Sequence, residues 1–287
     1  MCCLILLSCT RKTIPTLVIT GQNNHNWRVS HLAIQKILEN TGRFTVSFAI
    51  TPAEGKDQSS FEVDFSSYQL VVVDYNGDPW SKKTQENFKT YVNKGGGVVV
   101  YHAADNSFPE WDLFNNVCAL GGWKGRNENC GPYVYVENHK LKRDMTPGKG
   151  GSHGAQSEYI LKAFNTHHPI MAGLPTHWKH AKDELYCQMR GPGNIKTLLY
   201  SGFSTRSKRE EPLIFTVDWG KARIFHIMLG HCGKTLADNP AMQGTGFQVL
   251  LLRGAEWAAK GEVTQAVPSD FPTAEKVTFR KDYKAFK

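Results

Sequence analysis

The sequence predicts an α/β fold in which a mostly parallel sheet is covered by helices on both faces. Three short, continuous apolar runs, at 16–20, 68–77 and 98–101, are typical of strands that are buried on both sides. Two segments between them, 29–42 and 81–97, place apolar residues at helical spacing. Strands that alternate with helices of this length form parallel sheets, because each crossover helix packs back onto a face of the sheet.

The elements of the first half have clear boundaries. The helix predicted at 29–42 ends in a glycine, a residue that commonly stops helices, and the alternating strand predicted at 44–50 ends just before a proline. Ser81 is a suitable N-cap for the next helix, which stops at three consecutive glycines. The predicted order is therefore strand, helix, strand, strand, helix, strand.

The second half is less regular. Residues 121–155 are rich in glycine and charge and lack periodicity, which is typical of a functional excursion, and we expect them to cross the carboxyl edge of the sheet. Three further strands, a closing helix and an extended strap are predicted at 196–204, 212–220, 222–230, 247–261 and 263–287. No repeat or linker divides the chain. The predicted organisation is a leader, one domain and a C-terminal tail, at 1–15, 16–272 and 273–287.

Composition excludes some classes of function. The chain has 287 residues, 40% of them hydrophobic, so it can bury a sizeable core. Its net charge of +8 is carried by scattered residues, with small clusters at 140–143, 206–209 and 276–287. No basic helix or base-stacking motif accompanies them, so we expect a solvated basic surface and no nucleic-acid partner. The sequence indicates no particular oligomeric state.

The first nine residues, "MCCLILLSC", resemble the end of a bacterial lipoprotein signal, although the usual basic start is missing. Cys9 would then be the lipidated amino terminus, and the protein would be attached to a membrane at the periplasmic or cell surface. The alternative is a ragged amino terminus on a cytoplasmic protein. The remaining cysteines, which fit no zinc-knuckle spacing and whose redox state the sequence leaves open, are Cys118, Cys130, Cys187 and Cys232.

Polar side chains follow several of the predicted strands. In "GGGVVVYHAADNSF" the strand stops at His102, and "GQNNHNW" places His25 in the loop after the first strand. Asp74 ends another strand, and His231 follows the strand in "ARIFHIMLGHCG". Ligands of open α/β sheets bind at the carboxyl ends of strands, so these residues predict a site there.

A second dense stretch, "HHPIMAGLPTHWKHAKDELYCQMRGPG", holds four histidines and the acidic pair Asp183 and Glu184. A carboxylate beside histidines suits general acid–base chemistry and also a metal, but the spacing matches no HExxH-type zinc motif. We expect three of these four histidines to cap turns: His167, His177 and His180.

Several segments together resemble the ThuA-like (trehalose-utilisation) family. They include "GGGVVVYHAA", "GGWKGRNENCGPYVY", "GKGGSHG", "HHPIMAGLP", "GKARIFHIMLGH" and "FQVLLLRGAEWAAKGEV", and the resemblance runs in order from about residue 16 to 272. It implies a flavodoxin-like three-layer sandwich related to class I glutamine amidotransferases, and an association with trehalose or keto-sugar catabolism.

The resemblance also implies roles for two histidines. His102 stands where the amidotransferases carry their cysteine nucleophile, and His231 stands at the position of that nucleophile's histidine partner. An imidazole pair cannot form the thioester of glutamine hydrolysis, so glutaminase activity is not expected. The pair suits proton transfer on a sugar, or a divalent metal such as zinc with Glu184 or His25 added.

The predicted catalytic set is therefore His25, His102, Glu184 and His231. Residues expected to bind a small-molecule carbohydrate are Asn24, Trp27, Asp74, Asp105, Arg126, Glu128, His153 and Arg190, and rings that could stack on a sugar are Trp27, Trp80, Trp111 and Trp123. The function these residues favour is a sugar-processing enzyme, a hydrolase or an isomerase. The alternative is a non-catalytic sugar-binding or scaffold domain on an amidotransferase-like fold.

Overall fold

The computed structural model describes residues 12–283. Thirteen strands and five α-helices occur in this part of the chain. The strands are β1 (Ile14–Thr20), β2 (Phe44–Ile50), β3 (Leu70–Val73), β4 (Gly97–Tyr101), β5 (Tyr133–Glu137), β6 (Lys140–Asp144), β7 (Ser152–His153), β8 (Ser157–Ala163), β9 (His177–Asp183), β10 (Tyr186–Cys187), β11 (Ile195–Ser204), β12 (Arg209–Val217) and β13 (Arg223–Ile227). The α-helices are α1 (Trp27–Glu39), α2 (Lys82–Asn93), α3 (Asp112–Cys118), α4 (Pro240–Gln243) and α5 (Thr245–Lys260), and 3₁₀ turns lie at His102–Asn106, Glu128–Cys130 and Pro169–Met171.

The centre of the main sheet is parallel, in the order β2-β1-β3-β4-β13. The strands β1, β3, β4 and β13 are almost wholly buried, as continuous apolar sequences predict, whereas the edge strand β2 alternates buried and exposed residues over its first half. The Ser81 hydroxyl accepts a hydrogen bond from the Thr84 amide at 3.2 Å, so the predicted cap of α2 is present. The predicted α/β fold is confirmed.

Helices cover both faces of this parallel part. On one face α5 packs so closely that a Cβ added to Gly97 would meet the Ala258 carbonyl at 2.3 Å. On the other face the His226 ring reaches the carbonyl of Cys118, the last residue of α3, at 2.8 Å. The α2 helix joins α3 through contact of Phe88 with Phe114, and α1 contacts α5. The result is the three-layer sandwich predicted above.

Beyond β13 the sheet continues with strands that run antiparallel, in the order β12-β11-β8-β9. The sequence pattern predicts three strands near 196–230 but does not indicate their direction. The connections explain the antiparallel direction. Only a few residues separate β11, β12 and β13, and turns this short join antiparallel neighbours, whereas a parallel crossover needs a dozen residues or more.

The excursion at 121–155 is more ordered than its composition indicates. It contains the β5–β6 hairpin, which pairs with β12 at Glu210, and the short strand β7, which pairs with β10. Arg126 attaches its first part to the turn after β4 by donating to the carbonyls of Asn106 and Ser107, at 2.9 and 2.7 Å. The excursion is thereby held against the carboxyl end of β4.

The last segment described forms an extended strap without helix or strand. Its Thr273 carbonyl accepts a hydrogen bond from Lys179 in the edge strand β9, and its Thr278 carbonyl accepts one from Thr245 at the start of α5. The strap thus occupies hydrogen-bonding positions that an edge strand would otherwise expose. Cys9 and most of the predicted leader lie outside the described residues. Within those residues, none of the helices combines the length and the apolar character needed to cross a bilayer.

Candidate functional site

His102 lies at the end of β4 in an unusual backbone conformation. Its φ is 45°, in the left-handed region that costs a non-glycine residue about 1–2 kcal/mol. The ring is buried, and its Nδ1 donates to the Met228 carbonyl at 2.7 Å. Nε2 is therefore the nitrogen that faces the site. Burial lowers the pKa of His102 to about 3, so the imidazole is neutral at physiological pH.

Glu184 lies between β9 and β10, and four imidazoles surround its carboxylate. From its oxygens to the nearest Nε2 atoms the distances are 3.4 Å for His231, 3.6 Å for His25, 3.9 Å for His102 and 4.0 Å for His153. Burial acts to raise the pKa of Glu184, but the hydrogen bond from His25 and the neighbouring histidines outweigh it and hold the pKa below its ordinary value. The group is a carboxylate at neutral pH.

Three of these imidazoles also pack directly against one another. The ring centres of His25 and His102 are 4.7 Å apart, those of His25 and His231 are 4.7 Å apart, and those of His102 and His231 are 5.9 Å apart. We call His25, His102, Glu184 and His231 the histidine cluster. The structure thus brings together the four residues that the sequence analysis selected as the catalytic set.

His25 is held by a chain of hydrogen bonds from the sheet. Its Nδ1 and its backbone amide both lie within hydrogen-bonding distance of Asn23 Oδ1, at 3.4 and 3.0 Å. The Asn23 amide nitrogen donates in turn to Asp74 at 3.4 Å, and Asp74 also accepts from Ser30 at 2.5 Å. Asp74 is fully buried at the end of β3, so it positions His25 and does not reach the cluster itself.

Asp183 joins two loops of the site. Its carboxylate accepts hydrogen bonds from the backbone amides of Gly230, His231 and Glu184, at 2.7, 3.0 and 2.7 Å. The fourth donor is His180 Nε2, at 2.8 Å. His180 is therefore a buried partner of this carboxylate, and the prediction that it caps a turn was wrong. This role of Asp183 could not be predicted from the sequence, because backbone amides leave no signature there.

The wall of the site opposite β4 comes from the β7–β10 pair. Tyr186 stacks on His102, with ring centres 4.6 Å apart, and its hydroxyl lies 3.2 Å from His102 Nε2. The ring of Trp123 lies 4.9 Å from Tyr186 and 6.0 Å from His153. A cavity of about 440 Å³ opens on the other side, beside His231, and its size is within the range of small-molecule sites.

Other predicted binding residues lie away from the histidine cluster. Arg126 is buried, and its guanidinium is bonded to three carbonyls and to Asn115. Asp105 is buried beside His226 in the layer below the site, at 3.3 Å. Arg190 lines a separate cavity of about 570 Å³. These placements indicate that the residues stabilise loops and do not contact a ligand at the cluster.

The remaining predicted binding residues and the predicted stacking rings lie in several different parts of the structure. Asn24 is exposed and accepts a hydrogen bond from Asn76, while Glu128 binds the Gly148 amide in the excursion. Trp80 and Trp111 belong to the aromatic core under α2 and α3, so they are not free to stack on a sugar. Trp27 starts α1, half-buried, with Arg28 over its ring at 4.5 Å.

Asp74 makes the stability of the fold depend on pH. Burial raises its pKa to about 8, against an ordinary value near 4, so the folded state favours the neutral acid. The stability that this provides is complete below about pH 4 and is lost as pH rises through 8. The asparagine of the Asp74→Asn variant does not ionise, so the variant escapes this loss. We therefore expect the free energy of unfolding of Asp74→Asn, minus that of the wild type, to rise by about 3–5 kcal/mol from pH 5 to pH 9. Urea unfolding of both proteins at pH 5 and pH 9 measures this change. The same free-energy difference between variant and wild type at both pH values would contradict the raised pKa of Asp74.

Fold and site together define a class of protein. It is a flavodoxin-like α/β sandwich in which an imidazole, that of His102, occupies the left-handed turn after β4. The chain belongs to the ThuA (trehalose utilisation) family, whose model matches residues 16–258. No curated protein matches it significantly in sequence.

Solved structures agree with this assignment. A ThuA-like protein from Parabacteroides merdae is 62% identical, with a TM-score of 0.94, and the match covers 96% of this chain and all of the other. A ThuA-like protein from Bacteroides uniformis is 16% identical, with a TM-score of 0.53 and coverage of 87% and 94%. The carbohydrate deacetylase Agd3 is 13% identical, with a TM-score of 0.50, and the match covers 89% of this chain but 34% of that one. The last two similarities concern the fold alone.

Proposed function

We propose that this ThuA-family protein is an enzyme that processes a carbohydrate at the histidine cluster, as a hydrolase or an isomerase. One observation carries the proposal: the imidazoles of His25, His102 and His231 converge on the Glu184 carboxylate at the carboxyl edge of the sheet. Bringing this many titratable groups together has an energetic cost, and such arrangements are concentrated at active sites. A plain sugar-binding surface needs few of them.

His231 is the group best placed to move a proton. It is half-buried, and burial lowers its pKa, so its ring is a neutral base at physiological pH. When Nδ1, the ring nitrogen that does not face Glu184, takes a proton from a substrate C–H or O–H group, the Glu184 carboxylate 3.4 Å from Nε2 stabilises the imidazolium that forms. Tyr186 and His102 lie across the cluster, where the Tyr186 hydroxyl can donate to a developing negative oxygen.

Cys118 and Cys232, the cysteines that follow His102 and His231 in the sequence, do not offer an amidotransferase-type alternative. The nearest one in sequence to the cluster, Cys232, donates its thiol to the Asn26 carbonyl at 3.3 Å, and burial raises its pKa to about 12. Cys118 is buried at the end of α3. Neither is the thiolate that nucleophilic attack requires. Acid–base chemistry by histidine is therefore the basis of the proposal.

A carbohydrate substrate agrees with the surroundings of the cluster. The lining of the cavity beside His231 includes the polar residues Asn26, Gln156 and Asp238, which can bind hydroxyl groups. Trp123, beside His153 and Tyr186, offers a partly exposed aromatic ring on which a pyranose can stack. The family description, trehalose utilisation, points to trehalose and its oxidised keto forms as the first compounds to test.

Lipidation of Cys9 and a periplasmic or cell-surface location remain part of the proposal. They are supported by the apolar run and small residue that precede Cys9. Radiolabelled palmitate should enter the full-length protein in a bacterial host, and Cys9→Ala should prevent its incorporation. Equal incorporation into the two proteins, or none into either, would contradict the location.

The function is tested by incubating the protein with trehalose, other disaccharides and 3-keto-sugars and following the products by proton NMR. We expect conversion of at least one compound by the wild type and no detectable conversion by His231→Asn. His177→Asn is the matched control, because His177 is exposed on β9, far along the strand from the cluster. Saturable binding of a sugar that neither protein converts would instead identify a non-catalytic sugar-binding domain.

A further inference from the structure

We propose that His25, His102 and Glu184 form a binding site for one divalent transition-metal ion, best matched by zinc. The inference rests on the proposed function, since it assigns the means by which the histidine cluster would act. Each residue offers one ligand atom, and these atoms lie within 4.8 Å of one another. Two histidines and a glutamate are a donor set found in catalytic zinc sites.

The spacing of the ligand atoms fits a small ion. In a tetrahedral site with bonds of 2.0–2.1 Å, neighbouring ligand atoms are about 3.4 Å apart. In the structure Glu184 Oε2 lies 3.6 Å from His25 Nε2 and 3.9 Å from His102 Nε2. All three ligand atoms lie within 4.8 Å of one another, so closing the site on an ion needs side-chain movements of about 1 Å. The same oxygen faces both imidazoles, so a single ion can bind all three groups.

Both imidazoles are already oriented as metal ligands are. Nδ1 of His102 donates to the Met228 carbonyl, and Nδ1 of His25 faces Asn23 Oδ1. Bonds of this kind favour the tautomer that leaves Nε2 free to bind a metal, and metal-binding histidines nearly always make them. In the metal-free site His25 Nε2 donates to Glu184 instead, and the ion would take the place of that proton. Two rings that lie on different loops have the same arrangement and point Nε2 at the same carboxylate oxygen, which is hard to explain by packing alone.

The charge balance of the cluster also favours a cation. In residues 12–283, every ion-pair partner of Glu184 is a histidine, and neither lysine nor arginine lies within pairing distance of it. Its other side-chain neighbour is Gln156, at 3.5 Å. A carboxylate this well shielded from solvent is usually paired with a cation or bound to a metal. A dication bound here would supply the missing positive charge.

The arrangement leaves room for a substrate or a water on the ion. His231 binds the other oxygen of Glu184, so it lies next to the three ligands and remains available for proton transfer. The Tyr186 hydroxyl, which now faces His102 Nε2, would have to turn its proton toward the open position when the ion binds. A site with three protein ligands and an open position is the form that catalytic zinc takes, whereas structural zinc is closed by four ligands.

The test is titration of the full-length, EDTA-treated protein with zinc chloride in a calorimeter at pH 7.5. We expect one equivalent to bind, and we expect His25→Asn, His102→Asn and Glu184→Gln each to weaken binding at least about 100-fold. His177→Asn should bind like the wild type. Circular dichroism of each variant verifies that it is folded. Zinc X-ray absorption should then show nitrogen and oxygen ligands and no sulfur.

Two results would overturn the site: zinc binding weaker than about 1 mM, or equal binding by the wild type and the three folded variants. The metal and the proposed function fail separately. If the metal-free protein converts the sugar at the full rate, the proposed metal site is refuted, and the proposed enzymatic function still stands. If zinc binds tightly through the three ligands but no sugar is converted, the result supports the proposed metal site and counts against the proposed enzymatic function.

Discussion

His231→Asn is expected to lower kcat/KM for the sugar substrate by about 10³-fold while changing stability by less than about 1 kcal/mol. A positioned general base contributes 10²- to 10⁴-fold, and the loss should fall mainly on kcat because the ring acts in the transition state. His231 lies partly exposed beside a cavity and contributes little to the core. Steady-state kinetics and thermal unfolding of the purified variant measure the two effects.

His177→Asn is again the matched control, and it should retain full activity. If the His231→Asn variant keeps more than about a tenth of the wild-type kcat/KM, His231 is not the general base. Loss of activity together with loss of several kcal/mol of stability would show that the ring supports the fold instead.

Asp183→Ala is expected to lower the free energy of unfolding by about 3–5 kcal/mol, the usual cost of breaking a buried charged network. The substitution leaves His180 and three backbone amides without their acceptor in a region that excludes water. It also releases the two loops that present Glu184 and His231, so activity should fall with stability. Urea unfolding gives the free energy.

Asp183→Asn separates geometry from charge in this network. The amide keeps one acceptor oxygen and nearly the same shape, so the variant should lose less stability than Asp183→Ala. Asp218→Ala is a suitable control, because the Asp218 side chain is exposed and pairs with the exposed Lys196 at 3.9 Å, so its loss should change stability by less than about 0.5 kcal/mol. A loss below about 1 kcal/mol for Asp183→Ala would show that the network is not needed for folding.

The parallel core could be predicted because its signals are local. The apolar run before His102 and the Ser81 cap depend only on neighbouring residues, and the structure contains both features. The antiparallel half was not predicted, since strand direction depends on which strands pair across the sheet. A buried apolar strand has the same sequence pattern in either direction.

The histidine cluster could be located for a similar reason. In a parallel sheet the carboxyl ends of strands meet at one edge, so residues such as His25 and His102 converge even though they are far apart in sequence. The assignments in the excursion were less successful. Arg126 and Arg190 were expected at the ligand, but each is occupied by backbone carbonyls. A charged residue in a glycine-rich segment has the same appearance in sequence whether it binds a ligand or supports a loop.

The central claim is that the histidine cluster works as one catalytic unit, and a double-mutant cycle on Glu184 and His231 tests it most directly. The kcat/KM of Glu184→Gln, His231→Asn and the double variant would be measured on the same substrate. Residues that act together are strongly non-additive, so we predict that the double variant loses no more than about tenfold beyond the more damaged single variant. Losses that multiply across the two sites would contradict the claim, and so would wild-type activity in either single variant.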